Sequence, residues 1–287
     1  MKIALCLHGI ASGFNDSGVP VSFGEGVESI KENILNKYDV DVFYHTWSKD
    51  AEENLNKDYK PKKYTVEEQI KFSHPFSAGS TQYSFTPEIQ TKLQSIYSRW
   101  YSFMKSIELK KEFEKENDIE YDFVMSSRFD IVYYTPFIKF ENLDPTKFYV
   151  SNWWHNRFNF GYNDTWFLTG SNQMDRVGEI YSQLDTFLAE GSDYEKNLMS
   201  LKEISPRENP HIDAKISNHG LLRWHTKSMA IETGFIGLEY ESWSLVRKVM
   251  HGRVDPSFSR GFPLPLDVPI SEERGSSVLD GPRGVGW

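Results

Sequence analysis

The sequence predicts an α/β fold in which a mixed, mainly parallel central sheet is flanked by helices. Three observations carry that expectation. A strand, loop, helix, strand unit opens the chain, which implies parallel strands joined by a right-handed crossover. A long capped helix then leads into an apolar strand that runs, from Tyr121 to Tyr134, into Arg128 and Asp130. Further strand and helix patterns follow to about residue 250.

Ile3 to Leu7 is a short β-like run closing on His8-Gly9, followed by a loop rich in Gly, Ser, Asn and Asp up to Gly18. From Gly26 to Tyr38, helical spacing puts Val27, Ile30, Ile34 and Leu35 on one face. Val40 to His45 is the second strand, closing on Thr46-Trp47. Residues 48 to 63 read as charged and irregular, and Thr65 to Glu68 as a capping box. After a polar loop over 73 to 86, Thr86 as N-cap and Pro87 behind it open the clearest helix. Its apolar stripe is Ile89, Leu93, Ile96, Tyr97, Trp100, Phe103, Met104 and Ile107, and it decays into the charged segment Lys110 to Asp118.

Beyond the Arg128 strand, Phe148 to Asn152 reads as a strand opening into Trp153-Trp154-His155-Asn156-Arg157. Gly161 to Asp164 reads as a turn and Trp166 to Leu168 as a strand ending at Gly170. Ser171 caps a helix whose face is Val177, Ile180, Tyr181, Leu184 and Phe187. A further helix is expected from Asn209-Pro210 to near Lys227, with β-like segments to Val249. Pro, Gly and Ser dominate from His251 onward. The expected organisation is therefore one domain over 1–250 and a loop-rich extension over 251–287.

Bulk properties narrow the function. A net charge of −9 argues against a nucleic-acid polymer as partner, because phosphate neutralisation needs a basic field. A mononucleotide ligand needs only one or two local cations. Cys6 is the only cysteine, so no disulfide framework or cysteine-based metal site can be built. No apolar run approaches the ~20 residues of a membrane span, and the first residues lack the apolar core of a signal peptide. The expectation is a soluble, cytoplasmic protein with no transmembrane segment.

Burying an ion pair or a lone carboxylate costs several kcal/mol, about 3–5 when one partner is then removed, so a strand ending in Arg128 and Asp130 is read as delivering both to a site. In an α/β sheet that site lies beyond the carboxyl ends of the strands. A structural Arg–Asp pair at a strand end is the plainer alternative. Two adjacent indoles, Trp153 and Trp154, point to opposite faces of a strand. The outward one, beside His155, Asn156 and Arg157, suits the apolar face of a sugar, and an edge-strand contact is the competing reading.

Three segments together carry a resemblance: Asp41-Val42-Phe43-Tyr44-His45-Thr46-Trp47, the Tyr121-Asp122-Phe123-Val124 strand with Ser127-Arg128-Phe129-Asp130, and Tyr162-Asn163-Asp164-Thr165-Trp166-Phe167. In order and spacing, over roughly residues 1 to 190, they resemble GT-A-type glycosyltransferases of polysaccharide and lipopolysaccharide gene clusters and of large viruses. The resemblance implies a GT-A-like (Rossmann-like) fold that transfers a sugar from a nucleoside-diphosphate-sugar donor to a glycan or other hydroxyl acceptor. In that family an Asp-x-Asp motif holds Mn²⁺ or Mg²⁺ against the donor diphosphate, where hard cations take oxygen ligands. This chain has Arg128 in place of the first Asp, and arginine can pair a diphosphate directly. Asp39-Val40-Asp41 matches the motif literally but opens a strand instead of ending one.

Residue by residue, the first-strand loop with His8, Gly9, Ser12 and Gly13 is expected to approach the nucleoside, and Trp47 either to stack on the base or to cap the core. Arg128 and Asp130 are expected to manage the diphosphate, with or without a divalent cation (Mn²⁺ or Mg²⁺) on Asp130, and His219 to supply a late metal or diphosphate ligand. Asp164 is expected to take the acceptor proton; the bland alternative for Asn163-Asp164 is an Asx turn. Trp154, His155 and Asn163 are expected at the sugar and acceptor. The competing function is a non-catalytic carbohydrate-binding or scaffold protein on the same fold. A hydrolase reading of Leu7-His8-Gly9 as an oxyanion loop lacks the Gly-x-Ser-x-Gly nucleophile elbow it requires.

Overall fold

The computed structural model describes residues 1–14, 20–73, 86–134, 136, 138–152, 161–200, 216–238 and 242–246. Trp154, His155 and the extension over 251–287 lie outside the described residues. The strands are β1 (Lys2–Gly9), β2 (Ser12–Phe14), β3 (Pro20–Ser22), β4 (Asp39–Thr46), β5 (Lys63–Val66), β6 (Phe123–Arg128), β7 (Ile131–Tyr133), β8 (Phe148–Asn152), β9 (Trp166–Thr169), β10 (Thr233–Leu238) and β11 (Trp243–Leu245). The helices are α1 (Gly24–Ile30), α2 (Glu52–Tyr59), α3 (Pro87–Asn117), α4 (Ser171–Gly178), α5 (Ile180–Leu188), α6 (Asp193–Ser200) and α7 (Asn218–Ser228).

Seven strands form one sheet in the order β10-β8-β9-β6-β1-β4-β5. All neighbours are parallel except β9, which runs antiparallel to both β6 and β8. The expected mixed, mainly parallel sheet between helices is present. β1 sits at its centre because both of its faces are apolar. Ile3, Leu5 and Leu7 enter the core under α1 and α2, and Ala4 and Cys6 enter the core under α3. Continuous burial on both faces is the signature of a parallel strand covered on two sides, and each such aliphatic side chain contributes about 1.5–3 kcal/mol.

α3 supplies the second layer. Thr86 caps it, accepting from the backbone N–H of Ile89, and Pro87 stands at its first turn. Leu93, Ile96, Trp100, Phe103 and Ile107 pack on the sheet. Lys110 is fully buried at the end of that stripe, where Glu114 and Asp175 each lie 2.7 Å from Nζ and Ser171 Oγ lies 2.6 Å away.

Several local expectations are corrected. Residues 52–59 form α2, because Leu55 and Tyr59 fall one turn apart and bury together. Lys63–Val66 pairs in parallel with β4 as the sheet edge, so the Thr65–Glu68 spacing caps no helix. The helix after Gly170 breaks into α4 and α5 at Glu179, and Gly170 rather than Ser171 is its N-cap. The helix expected to end near Lys227 is described from Asn218, with residues 201–215 outside the described set. The literal Asp39-Val40-Asp41 motif lies at the opposite end of the sheet from Arg128. There Asp41 meets Lys2 at 3.0 Å and accepts from Tyr121 Oη at 2.8 Å.

The segment after β6 is fixed from behind by α1. A Cβ on Gly26 would stand 2.3 Å from the carbonyl oxygen of Phe129 and 3.0 Å from that of Ile131. Only glycine permits this approach, and it places Arg128-Phe129-Asp130 at the sheet edge. Gly26→Ala is expected to lower stability by about 1–3 kcal/mol through overpacking. Urea denaturation checks this, and a change below about 0.5 kcal/mol, the usual range for a surface substitution, would contradict the tight contact.

Candidate functional site

Strand register brings the site together. His8 pairs with His45 on one side and with Arg128 on the other, at the carboxyl ends of β1, β4 and β6. The chain proceeds from β1 outward to β4 and β5, then returns to β6 on β1's other side. The β1/β6 boundary is therefore the topological switch point, where α/β sheets open a crevice for ligands. Two further segments reach the same edge for topological reasons. β9 is antiparallel, so its leading loop, Gly161 to Thr165, lies where the parallel strands end. α7 precedes β10, which runs with the parallel strands, so the amino end of the helix returns to this edge.

The Arg128 guanidinium makes a side-on pair with Asp130: Nε donates to Oδ1 at 2.8 Å and Nη2 to Oδ2 at 2.6 Å. The carboxylate side chain is 2% exposed and the arginine side chain 24%. The carboxylate thus lies inside, and the cation is turned outward. Burial opposes the charge on Arg128, but Asp130 outweighs it and holds the guanidinium pKa above its ordinary value.

Asp164 is at the centre of a second cluster. Its Oδ1 is 2.8 Å from Nδ1 of His219, and its Oδ2 accepts from Nε of Arg99 at 3.2 Å. Nη2 of Arg99 also donates to the Asp164 carbonyl oxygen. Nδ1 of His219 faces the Tyr162 carbonyl oxygen as well, at 3.0 Å, so this nitrogen carries a proton toward two acceptors. Burial alone would raise the Asp164 pKa, yet His219, Arg99 and Arg128 outweigh it and hold the carboxyl far below the usual carboxylate range. Burial pulls the Arg99 pKa down to about 10; Asp164 opposes that and Arg128 adds to it. Nη1 of Arg99 and Nε2 of His8 are buried with no hydrogen-bond partner among the described residues.

The Gly161 loop is locked to α7. A Cβ on Gly161 would fall 2.4 Å from the His219 carbonyl carbon, and the Tyr162 N–H donates to the His219 carbonyl oxygen at 3.0 Å. Asn163 forms the Asx turn: its Oδ1 accepts from the Thr165 N–H at 3.0 Å and from the Thr165 hydroxyl. Arg128 N–H donates to the Thr165 carbonyl oxygen at 3.2 Å, which ties this turn to the end of β6.

The structure therefore revises several expected roles. Asp164 does not suit a general base, because a buried carboxylate paired with the Arg99 guanidinium and hydrogen-bonded to His219 has little affinity for a proton. It fixes Arg99 and His219 instead. Asn163 spends its side chain on the turn, so the structural alternative holds there. Trp47 is buried, stacked on Tyr101 at 5.5 Å between centroids and edge-on to His45 at 4.6 Å, so it caps the core rather than opening toward a base. His8 is fully buried beside Phe103, and burial with Arg99 and Arg128 nearby drives its pKa well below the ordinary imidazole value. It lies at the floor of the site. The loop residues Gly9, Ser12 and Gly13 do reach the edge, with Ser12 Oγ donating to Asp50 at 2.7 Å and Gly13 exposed.

Asp130 and His219 do not form a divalent-cation donor set here. Both Asp130 oxygens accept from Arg128, and the Asp164 oxygens face Arg99 and His219. No cluster of three His, Cys, Asp or Glu side chains able to hold a metal ion occurs among the described residues.

Arg99 is the residue that sequence reading missed. Its signal was available: Ile96, Arg99, Trp100 and Phe103 share one helical face, so an arginine at 99 sits in the buried stripe. An arginine there needs a partner or a ligand.

His45 anchors the same edge. Ser102 Oγ lies 2.7 Å from its Nδ1 and Glu67 Oε2 lies 3.4 Å from its Nε2, while the Gly9 N–H donates to Ser102 Oγ at 2.8 Å. Burial pushes the His45 pKa from 6.5 to about 4, with Glu67 opposing. The unfolded chain takes up this proton as pH falls below 6.5 and the folded chain does not. This stability is full above pH 6.5 and is lost on acidification toward pH 4. Between pH 6.5 and 5.5 the loss from His45 is about 1 kcal/mol. Urea midpoints should fall over that interval and fall less in His45→Gln; equal slopes in the two proteins would contradict the assignment.

No family model matches the chain, and no curated protein matches it. No helix among the described residues is long and apolar enough to cross a membrane.

Proposed function

We propose that the protein is a glycosyltransferase that moves a sugar from a nucleoside-diphosphate-sugar donor to a glycan or other hydroxyl acceptor. The observation that carries this reading is the Arg128–Asp130 pair at the β1/β6 switch point, with the guanidinium outward and the carboxylate inward. Transfer breaks the bond between the anomeric carbon and the diphosphate oxygen, and the bonding pair leaves with the diphosphate. The acceptor oxygen forms the new bond, and its proton passes to the departing diphosphate or to solvent water. A fixed cation beside the departing oxygen stabilises the charge that develops there.

Arg128 fills that place. Asp130 holds its planar fork side-on, so the guanidinium is oriented before substrate arrives and little ordering remains to be done on binding. Asp164 orients Arg99 and His219 next to it. The loop with Gly9, Ser12 and Gly13 lies where a nucleoside would sit beside a diphosphate on Arg128. Scanning fluorimetry with UDP-, GDP-, CDP- and TDP-linked sugars tests the reading. One donor class should raise the melting temperature, and Arg128→Gln should abolish the shift; no shift with any donor, with or without Mn²⁺, contradicts it.

One observation favours a binding-only protein on the same fold. Both carboxylates at the edge are engaged by cations, which leaves neither as an evident proton acceptor. A glycan that binds while no donor is ever turned over would establish that alternative.

A further inference from the structure

We infer that the donor diphosphate is held by the guanidinium groups of Arg128 and Arg99 in the place where a divalent cation would otherwise bridge it, so that nucleotide binding at this edge is independent of metal. This rests on the transferase reading above and specifies how its donor is held. Three features lead to it.

The first is the state of the carboxylates. A hard cation takes oxygen ligands with free lone pairs directed at it. Asp130 places both oxygens on Arg128, at 2.8 and 2.6 Å, and Asp164 divides its oxygens between Arg99 and His219. A metal recruited to either carboxylate would stand beside a guanidinium already paired with it, where like charges repel more strongly than in water.

The second is the arrangement of charge. Two guanidiniums and two carboxylates cancel in formal charge, but they are not mixed. The carboxylates are 2% and 8% exposed and face inward, while Arg128 is 24% exposed and faces out. Of these four side chains, the one that reaches the surface is therefore the cation Arg128. Like charge on Arg128 already lowers the pKa of Arg99, so the two guanidiniums feel one another. An anion between them relieves that repulsion.

The third is unused donors. Arg128 spends Nε and Nη2 on Asp130 and makes no hydrogen bond through Nη1 among the described residues. Arg99, whose side chain is 9% exposed, leaves Nη1 buried and unpartnered. Unsatisfied buried donors are uncommon and carry a cost that a bound anion removes. A diphosphate, with several oxygens on two adjacent phosphorus atoms, offers acceptors enough for donors from both guanidiniums.

The test is isothermal titration calorimetry of the full chain with UDP, GDP, CDP and TDP, each in EDTA and in excess Mn²⁺. At least one nucleoside diphosphate should bind in EDTA, with a Kd that changes by less than about threefold when Mn²⁺ replaces the chelator. Arg128→Gln should raise that Kd by about tenfold or more, as loss of a charged hydrogen bond requires. Arg128→Lys should recover only part, because the charge returns without the fork. Binding seen only with Mn²⁺, or strengthened more than about tenfold by it, overturns the inference and leaves the transferase reading standing. Absence of binding by all four under both conditions overturns the transferase reading, and this inference with it. The comparison of EDTA with Mn²⁺ uses the parent protein, so a variant that fails to fold does not weaken it.

Discussion

Replacing Asp164 with alanine is expected to lower stability by about 3–5 kcal/mol, the cost of leaving a buried charge without its partner. Arg99 is 9% exposed and takes its charge partner from this one carboxylate, at 3.2 Å from Nε. The other oxygen of the same carboxylate orients His219 at 2.8 Å, so alanine removes the side-chain ties of β9's leading loop to α3 and α7 and leaves only the backbone ones. Asp164→Asn should cost less, since an amide oxygen still accepts one hydrogen bond. The sharper check is a double-mutant cycle with Arg99→Met. Methionine removes the buried charge at similar length, so the double variant should be more stable than the sum of the single changes predicts, by about 1 kcal/mol or more. Additive behaviour in urea denaturation would show that the two side chains do not depend on one another.

Arg128→Gln is expected to reduce kcat for donor turnover by about 10²–10³, the usual cost of losing one preorganised group at a developing anion. A lysine at this position should restore little of that rate. Its ammonium is a point charge on a flexible stem, and it cannot take the side-on geometry that Asp130 imposes. The distinguishing readout is how the loss divides between kcat and KM. If the guanidinium acts on the leaving diphosphate, kcat falls; if it serves only to dock the donor, KM alone rises. Single-turnover release of nucleotide separates the two. An unchanged kcat with raised KM would move Arg128 from chemistry to binding.

The centre of the sheet was legible because its strands are short apolar runs closing on polar residues. β1 to His8-Gly9, β4 to Thr46-Trp47 and β6 to Arg128 were each read from such runs, and register places their ends side by side. α3 was legible from Thr86, Pro87 and its stripe. β5 was not, because Lys63-Tyr64-Thr65-Val66 alternates over only four residues after a charged run, too short a pattern to stand out, and an edge strand needs only one neighbour. The break between α4 and α5 was hidden because the apolar spacing runs through it without a gap.

At the site, composition revealed which residues arrive but not which way their charges are spent. Arg128 and Asp130 were found as a pair, while their side-on contact, which occupies the very oxygens a metal would use, is a property of three-dimensional placement. Asp164 reads as a base because it follows a glycine, precedes an aromatic strand and falls in a segment that carries the resemblance. Its two partners, Arg99 and His219, come from α3 and α7, 65 residues before it in one case and 55 after it in the other. Spacing along the chain cannot show such a cluster. Arg99 was within reach of helical periodicity and was passed over because its neighbours are apolar.

The most direct measurement is release of nucleoside diphosphate from a panel of UDP-, GDP-, CDP- and TDP-sugars by the purified full chain, supplied with a mixture of glycan acceptors. Turnover of one donor class that is lost in Arg128→Gln, while that variant keeps its fold by circular dichroism, is the predicted result. Turnover that survives the substitution, or none with any donor under any metal condition, would contradict a transferase centred on this arginine.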